Sequence, residues 1–296
     1  MQAWICTQGW QASILELLKK WLSGLKPTER VLDLGAGSGS FDYESCSCSV
    51  VSVDLDFGPA LPSKPTIRIC ADSNSLPFAQ HTFDLIICHH SLEHFKDLVP
   101  SIREIHRILK QNGKLFVSVP DGYSFSDNLY RFLFAGGGHL QRFSFEQVTR
   151  IIQSETVLHL VAWRDLHTSF IYLDKRNFLP APRGPLPGPF PRRMQWFGRL
   201  PKWSFFTAKF LLNVASRLVD RFGNSRLSMY GWALAFDSIP VPPTRERSFV
   251  NVCMYCGFGV GRNEILPTGV LFYTCGVCQG LNPLFRPNFE GPFKAV

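Results

Sequence analysis

The segment that most constrains the fold of this chain is VLDLGAGSG, residues 31–39. Its apolar first half is typical of a buried strand, and its second half places an acid and then glycines at alternate positions. Glycine gives the backbone the freedom to turn sharply at the end of the strand and removes the Cβ that would keep a ligand away. A ligand could then approach backbone N–H groups. A glycine-rich turn alone does not specify which nucleotide-like ligand is bound.

Strand-like and helix-like patterns alternate over the first half of the chain. Four apolar runs follow the first one, at residues 50–54, 67–70, 83–88 and 114–119. Amphipathic helices are predicted at 11–24, before the first strand, and at 98–110, between the fourth and the fifth. This alternation predicts an α/β fold with a doubly wound, mostly parallel sheet. In such a sheet the ligand lies across the carboxyl ends of the strands.

Polar residues follow the ends of three of these runs. Asp54 ends the second run, where a carboxylate can accept hydrogen bonds from both hydroxyls of a ribose. Asp72 follows the third run, and the segment HHSLEH, residues 89–94, follows the fourth. The sequence therefore predicts that all candidate site residues lie at one edge of the sheet.

These motifs, in this order, resemble the class I S-adenosylmethionine-dependent methyltransferases, in particular the small-molecule branch related to quinone biosynthesis. The resemblance covers residues 28–122, and the G-x-G-x-G spacing departs from the G-x-G-x-x-G spacing of dinucleotide oxidoreductases. It implies a seven-stranded Rossmann-like sheet. A helix at 145–152, a sixth strand at 157–163 and an antiparallel seventh strand at 230–236 would complete it.

The resemblance implies S-adenosylmethionine as the cofactor. The three glycines would pass beneath its methionine and ribose parts, and Asp33 would lie near the amino-acid end. Asp54 would hold the ribose hydroxyls, and Asp72 would accept from the adenine amino group. The residues expected to bind the cofactor are Asp33, Gly35, Ala36, Gly37, Gly39, Asp54, Leu55, Asp72, Ser73 and His89.

Methyl transfer requires a nucleophile aligned with the sulfonium methyl group, and it requires a base only where the acceptor is protonated. We expect His90 or His94 to act as that base. The alternative is that Glu93 and His94 cap or brace the next helix.

Three consecutive glycines, residues 136–138, follow the fifth strand. They suit a hinge whose neighbours His139 and Arg142 reach an anionic substrate. The alternative is a flexible turn after which Ser144 or Phe145 begins the next helix, with Glu146 in its first turn.

Residues 177–227 carry much of the aromatic and proline excess of the chain, interleaved with Arg and Lys. This pattern suits an acidic membrane surface or an amphiphilic substrate. It is also compatible with a lid helix packed on the main domain, and with single-stranded nucleic acid. We treat the segment as an insertion between residues 1–176, the methyltransferase-like domain, and residues 228–245, its last strand.

Cysteines 253, 256, 275 and 278 form a C-x₂-C-x₁₈-C-x₂-C array within residues 246–296. Two thiolate pairs on tight turns can close one tetrahedral Zn²⁺ site. Because the protein fills all four positions, the array predicts a structural zinc ribbon. The metal ligands would be Cys253, Cys256, Cys275 and Cys278.

The formal net charge of +8 favours anionic partners such as nucleic acid or an acidic membrane face. The beginning of the chain lacks a basic stretch followed by an apolar one, so we expect no secretory signal and a reducing cytoplasm. The leading hypothesis is methylation of a small, amphiphilic or lipid-like acceptor, with peripheral membrane contact left open. The alternatives are an RNA or protein methyltransferase that uses the ribbon for recognition, and a catalytically silent cofactor-binding scaffold. The oligomeric state has no signature in the sequence.

Overall fold

A mixed eight-stranded sheet is the centre of the structure, a computed structural model that describes residues 16–37, 39–41, 43, 46–57, 67–178, 192–223, 226–246, 250–255, 259–261, 272–276 and 278–283. Helices flank the sheet. The strands of the sheet are β1 (Arg30–Leu34), β2 (Ser49–Asp54), β3 (Ile67–Cys70), β4 (Phe83–His89), β5 (Leu109–Pro120), β6 (His159–His167), β7 (Met229–Asp237) and β8 (Thr244–Arg245). The helices are α1 (Glu16–Gly24), α2 (Leu98–Ile108), α3 (Phe125–Leu133), α4 (Phe145–Glu155) and α5 (Lys202–Gly223).

The strand order is β3-β2-β1-β4-β5-β7-β6-β8. Strands β1 to β5 pair in parallel, and β7 lies antiparallel between β5 and β6. The predicted α/β class and Rossmann-like sheet are therefore confirmed. The short β8 adds an eighth strand, parallel to β6, that the sequence pattern did not predict.

Buried apolar side chains pack on both faces of the sheet because the helices cover both faces. One cluster includes Ile102 and Ile105 of α2 with Val148 and Ile152 of α4. The other includes Leu18 and Leu22 of α1, whose lysines 19 and 20 are exposed as predicted. Sequence periodicity identified the inward faces of α1 and α2 correctly.

The boundary between α2 and β5 differs from the prediction. The helix ends at Ile108, and Leu109 already pairs with Phe83 of β4. The register then shifts, so that Lys114 pairs with Leu85. The pairing of β5 with β4 is therefore irregular between Leu109 and Lys114, and this stretch carries neither the helical nor the simple alternating pattern.

Helix α3 was not predicted. Ser124 is its N-cap and accepts a hydrogen bond from the Asp127 N–H. The S-x-x-D pattern at these positions is a helix-start signal that could have located it.

Residues of the predicted insertion pack on the main domain around Phe178 and Phe205. Both are buried in an apolar cluster with Leu133 of α3, Phe170 and Leu173. Two 3₁₀ segments, Lys175–Phe178 and Arg192–Arg199, precede α5. Within the described residues, no helix combines the length and the apolar character needed to cross a bilayer.

Candidate functional site

The turn after β1 follows the glycine pattern. Gly35, Gly37 and Gly39 have φ values of +74°, +51° and +114°, which favour glycine. The N–H groups of Gly35 and Ala36 donate to the carbonyl of Val53 at the end of β2. A Cβ built on Gly35 would lie 2.3 Å from the Cβ of Ser91. The first glycine is therefore required for close packing against the segment that follows β4.

Gly37 is different, because a Cβ built on it meets no atom of the described residues within 4 Å. Its N–H donates to Oδ2 of Asp54 at 2.7 Å, and Oδ1 of the same carboxylate accepts from the N–H of Asp56 at 3.1 Å. Asp54 is half-buried. The backbone at Gly37 thus borders open space beside a fixed carboxylate.

Asp33 is fully buried beneath this turn. Its Oδ2 accepts from the Ser40 N–H at 2.9 Å and from the Tyr43 hydroxyl at 2.5 Å. Within the described part of the chain, Oδ1 has no hydrogen-bond partner. Burial raises the pKa of Asp33 to about 6, although the hydrogen bonds from Tyr43 and Ser40 oppose that shift. In this geometry Asp33 braces the turn. The role of Tyr43, in a segment rich in serine and cysteine, was not predicted.

The remaining predicted cofactor residues lie at the same edge of the sheet. The Ala71 N–H donates to the carbonyl of Asp54, which places Asp72 next to the end of β2. Asp72 accepts from the Asn74 N–H through Oδ1, and the hydroxyls of Ser73 and Ser101 lie 2.8 Å apart. Leu55 is 71% exposed directly after Asp54. An open glycine backbone, a strand-end carboxylate and an exposed apolar side chain together fit a nucleoside cofactor.

His89, which we expect to line the cofactor site, is buried. Its Nδ1 lies 2.7 Å from the Ser118 hydroxyl. Burial, and to a smaller extent the neighbouring His90, hold its pKa well below the usual value for histidine. We therefore expect a neutral His89 at pH 7.

His90 has φ +50° and turns toward β7. Its Nε2 lies 3.1 Å from the Tyr230 hydroxyl and its Nδ1 lies 3.6 Å from Oε1 of Glu93. Glu93 is 1% exposed. Burial raises the pKa of Glu93, but the hydrogen bond and charge of His90 and the charges of His94 and His139 outweigh it, so the pKa lies below the usual value. A buried, ionised carboxylate thus faces His90.

Glu93 and His94 hold the triple-glycine loop, residues 136–138. The carbonyl of Glu93 accepts from the N–H groups of residues 140 and 141, and Nδ1 of His94 lies 2.9 Å from the carbonyl of Gly138. The alternative in which Glu93 or His94 caps the next helix is wrong, since Asp97 is the N-cap of α2.

Side chains of α3 contact the triple-glycine loop and the residues that follow it. All three glycines have positive φ, and a Cβ on Gly137 would lie 2.1 Å from the Tyr130 ring. Asp127 accepts from Arg131 and lies 2.8 Å from Nδ1 of His139. Arg131 also donates to the carbonyls of His139 and Gln141. After the loop, Ser144 forms a capping box with Gln147 and begins α4, which confirms that part of the turn interpretation.

Three cysteines of the C-terminal array come together. The Sγ atoms of Cys253, Cys275 and Cys278 lie within 4.8 Å of one another. The Sγ atoms of Cys253 and Cys278 are 3.5 Å apart. The Asn282 side-chain amide and the Tyr255 N–H donate to Sγ of Cys253. Cys256, the fourth predicted ligand, lies outside the described residues. The donors to sulfur suit a thiolate.

The cysteine cluster adjoins α5. Nζ of Lys209 donates to the carbonyl of Met254 at 2.8 Å, and the rings of Phe206 and Tyr255 are 5.1 Å apart. Two short hairpins frame the cluster. They pair β9 (Val250–Val252) with β10 (Gly259–Gly261), and β11 (Phe272–Thr274) with β12 (Leu281–Pro283).

Helix α5 buries several polar side chains and exposes apolar ones, which is the reverse of the usual arrangement. Its polar side chains Lys209, Asn213 and Arg217 are buried, and Asp220 accepts from two backbone N–H groups beyond the helix. Its described exposed side chains, apart from Lys202 at the first position, carry no charge. They are Trp203, Thr207, Ala208, Leu211, Ala215, Leu218, Val219 and Phe222. At 3.6 residues per turn they form one continuous stripe. We call this stripe the outer face of α5.

The central segment of the chain is similar to known proteins. Residues 32–117 match the family model described as methyltransferase domain. The demethylmenaquinone methyltransferase of Corynebacterium urealyticum is 35% identical over 98 residues, which are 32% of this chain and 43% of that protein. The mitochondrial arginine-hydroxylase NDUFAF5 of Mus musculus is 41% identical over 66 residues, which are 22% of this chain and 18% of that protein. The chain thus spans less than half the length of these two curated relatives.

A solved structure of a SAM-dependent methyltransferase from Methanosarcina mazei is 15% identical, with a TM-score of 0.45, and its match covers 76% of this chain and 98% of that one. The family match falls on β1 to β5, which carry the glycine turn, Asp54 and Asp72. Residues 32–117 are therefore similar to a methyltransferase domain and lie within a Rossmann-like α/β sheet.

Proposed function

We propose that the protein transfers a methyl group from S-adenosylmethionine to a small, amphiphilic acceptor at a lipid surface. The observation that carries the methyl-transfer part is the open backbone at Gly37 beside the carboxylate of Asp54. When bound, the cofactor supplies an electrophilic methyl group on a sulfonium. Because that group is already activated, the protein needs chiefly to position the acceptor.

In this proposal the glycine turn holds the methionine and ribose parts, and Asp54 accepts hydrogen bonds from ribose hydroxyls. Exposed Leu55 offers an apolar surface for the adenine ring, and Asp72 and Ser73 lie next to it along the edge. Asp33 acts indirectly, since its carboxylate is buried against Ser40 and Tyr43. His89 also supports the site from below through Ser118.

We assign proton removal from a hydroxyl acceptor to His90. Its imidazole lies between the Tyr230 hydroxyl and the buried carboxylate of Glu93. An ionised carboxylate stabilises the imidazolium that forms when His90 takes a proton. Turnover at saturating acceptor should fall in His90→Ala. Unchanged turnover in both His90→Ala and His94→Ala would remove either histidine as the base.

The outer face of α5 supports an amphiphilic acceptor and contact with a membrane. A soluble surface helix normally places its charges outward, whereas α5 buries Lys209 and Arg217 and exposes apolar side chains. Exposed Arg199 and Lys202 lie at its beginning and exposed Arg226 follows its end. An apolar stripe between cations is complementary to anionic lipid headgroups over acyl chains.

We further propose that Cys253, Cys256, Cys275 and Cys278 bind a structural Zn²⁺. The convergence of three sulfurs and the N–H donors to Cys253 support a thiolate site. Four protein ligands would leave no position for a substrate. The ion would stabilise the segment that packs on α5.

Transfer of labelled methyl groups from S-adenosylmethionine tests the function. The full chain is incubated separately with a total lipid extract, with RNA and with a protein pool. We expect label in the lipid fraction and its loss in an Asp54→Asn variant. Label confined to RNA or protein would favour an enzyme of macromolecules. Cofactor binding without label in any pool would favour a silent scaffold.

A further inference from the structure

A second group of metal-ligating side chains lies outside the cysteine array. Glu93, His94 and His139 each offer one ligand atom, and the three atoms lie within 4.8 Å of one another. They come from distant parts of the chain, the 3₁₀ segment Leu92–His94 and the loop after α3. The triple-glycine loop brings them together by docking on the carbonyl of Glu93. We propose that these three residues form a binding site for a divalent transition-metal ion.

Each of the two histidine rings is held by a contact of its Nδ1 atom. Nδ1 of His139 lies 2.8 Å from Oδ1 of Asp127, and Nδ1 of His94 lies 2.9 Å from the carbonyl of Gly138. Such contacts fix the ring orientation and leave Nε2 to bind the metal. Asp127 is itself held by Arg131, so the support continues into α3.

The surroundings of the Glu93 carboxylate also support a bound cation. Its side chain is 2% exposed, and within the described residues Oε2 has no hydrogen-bond partner. A buried carboxylate oxygen without a partner is costly. A cation between Glu93 and the two imidazoles would satisfy it.

The donor set indicates the class of ion. Two imidazoles and one carboxylate suit Zn²⁺, Fe²⁺ and Co²⁺ better than the all-oxygen shells of Mg²⁺ and Ca²⁺. Ligand atoms bound to one such ion lie roughly 3–4 Å apart at metal–ligand distances of about 2.1 Å. Small side-chain rotations would bring the present separations into that range.

The metal site lies next to the edge of the sheet that carries the proposed cofactor site. Ser91, directly before the segment Leu92–His94, packs against Gly35 of the glycine turn. Three protein ligands leave coordination positions open for water or for an oxygen of the acceptor. We infer that the ion orients an acceptor carrying a hydroxyl or an anionic oxygen. That role rests on the proposed function, whereas binding of the ion does not.

Cobalt absorption tests the site in the full chain. The protein is first loaded with one equivalent of Zn²⁺ to occupy the cysteine array and is then titrated with Co²⁺. We expect one further Co²⁺ to bind, with visible d–d bands and without the near-ultraviolet charge-transfer band that thiolates give. His94→Ala and His139→Ala should each weaken Co²⁺ binding at least about tenfold. His159→Ala, an exposed histidine at the start of β6, is the matched control.

His94 is exposed, so its variant should fold normally. Circular dichroism confirms the fold of each variant before titration. No Co²⁺ beyond the zinc-loaded array would overturn the proposal, and so would equal binding by folded His94→Ala and His159→Ala. Methyl-transfer assays are kept separate, so Co²⁺ binding in the absence of any methyl transfer would contradict only the proposed function.

Discussion

The Gly37 N–H donates to Oδ2 of Asp54 at 2.7 Å, and this contact joins the turn after β1 to the end of β2. The carboxylate therefore has a fixed position, and the glycine beside it leaves its surroundings open. A strand-end acid and a glycine turn are separately common. Their direct contact gives this edge of the sheet a defined binding geometry.

The glycines of the turn should respond differently to substitution by alanine. In Gly35→Ala the new Cβ would overlap the Cβ of Ser91, so we expect a lower melting temperature. In Gly37→Ala the Cβ would project into open space at φ +51°, with a backbone cost of roughly 1–2 kcal/mol. Thermal unfolding and calorimetric titration with S-adenosylmethionine separate the two effects. We expect Gly37→Ala to remain folded and to lose cofactor affinity. A folded Gly37→Ala with wild-type affinity would contradict this assignment.

The buried Asp33 should make stability fall as pH rises. Its pKa is raised to about 6 in the folded protein, from 3.8 in the unfolded chain. The folded state therefore binds more protons than the unfolded state between these pH values. The resulting contribution of Asp33 to the free energy of unfolding is fully present below pH 3.8 and is lost by about pH 6. The Asp33→Asn variant lacks this contribution. Relative to Asp33→Asn, the wild type should lose on the order of 1–3 kcal/mol of unfolding free energy across this window.

Urea unfolding at pH 4.5 and pH 7.5 measures that difference, and comparison with the variant cancels the other titrating groups. A stability difference between wild type and Asp33→Asn that stays constant with pH would show that Asp33 titrates normally.

Much of the fold was predictable because the buried strands and the inward faces of α1 and α2 follow simple periodicities. The irregular stretch after Leu109 ends the helical pattern without starting a regular alternating one, so the predicted boundary was misplaced. Helix α5 was harder still, since its polar residues face inward and invert the usual rule.

The candidate site also has parts that the sequence could predict and parts that it could not. Asp54 and the glycines follow local motifs, so they could be identified as candidate residues from the sequence. The Tyr43 contact to Asp33 and the meeting of Glu93 with His139 depend on how distant segments dock. Pairing across such distances has no local signal in a single sequence.

Removal of the cysteine ligands should release metal and loosen the segment packed on α5. We expect the Cys253→Ser, Cys275→Ser double variant to lose the near-ultraviolet thiolate band of the Co²⁺-substituted protein. We also expect a lower melting temperature, because Lys209 and Phe206 lose ordered partners. Cys70→Ser, at an exposed cysteine outside the array, is the control. A thiolate band of full intensity in the double variant would refute the assigned ligands.

The outer face of α5 should bind anionic vesicles. Introducing Glu at both Leu218 and Phe222 places charges on a stripe that has none among its described side chains, so the vesicle-bound fraction in flotation should fall. Burying one large apolar side chain is worth about 1.5–3 kcal/mol, so the affinity should drop at least roughly tenfold. Ile239→Glu changes an exposed apolar residue outside α5, and this variant should bind as the wild type does. Equal flotation of all three proteins would argue against a lipid contact at this face.

Cofactor affinity measured on Asp54→Asn tests the central claim most directly. The asparagine keeps one acceptor oxygen but loses the charge, so calorimetry should show S-adenosylmethionine binding about 10–100-fold more weakly than to the wild type. Asp56→Asn, at the exposed neighbouring acid, should bind as the wild type does. Stoichiometric binding to the wild type with this selective loss is the predicted result. Absence of binding to the wild type, or equal affinity in Asp54→Asn, would contradict a cofactor site at this edge of the sheet.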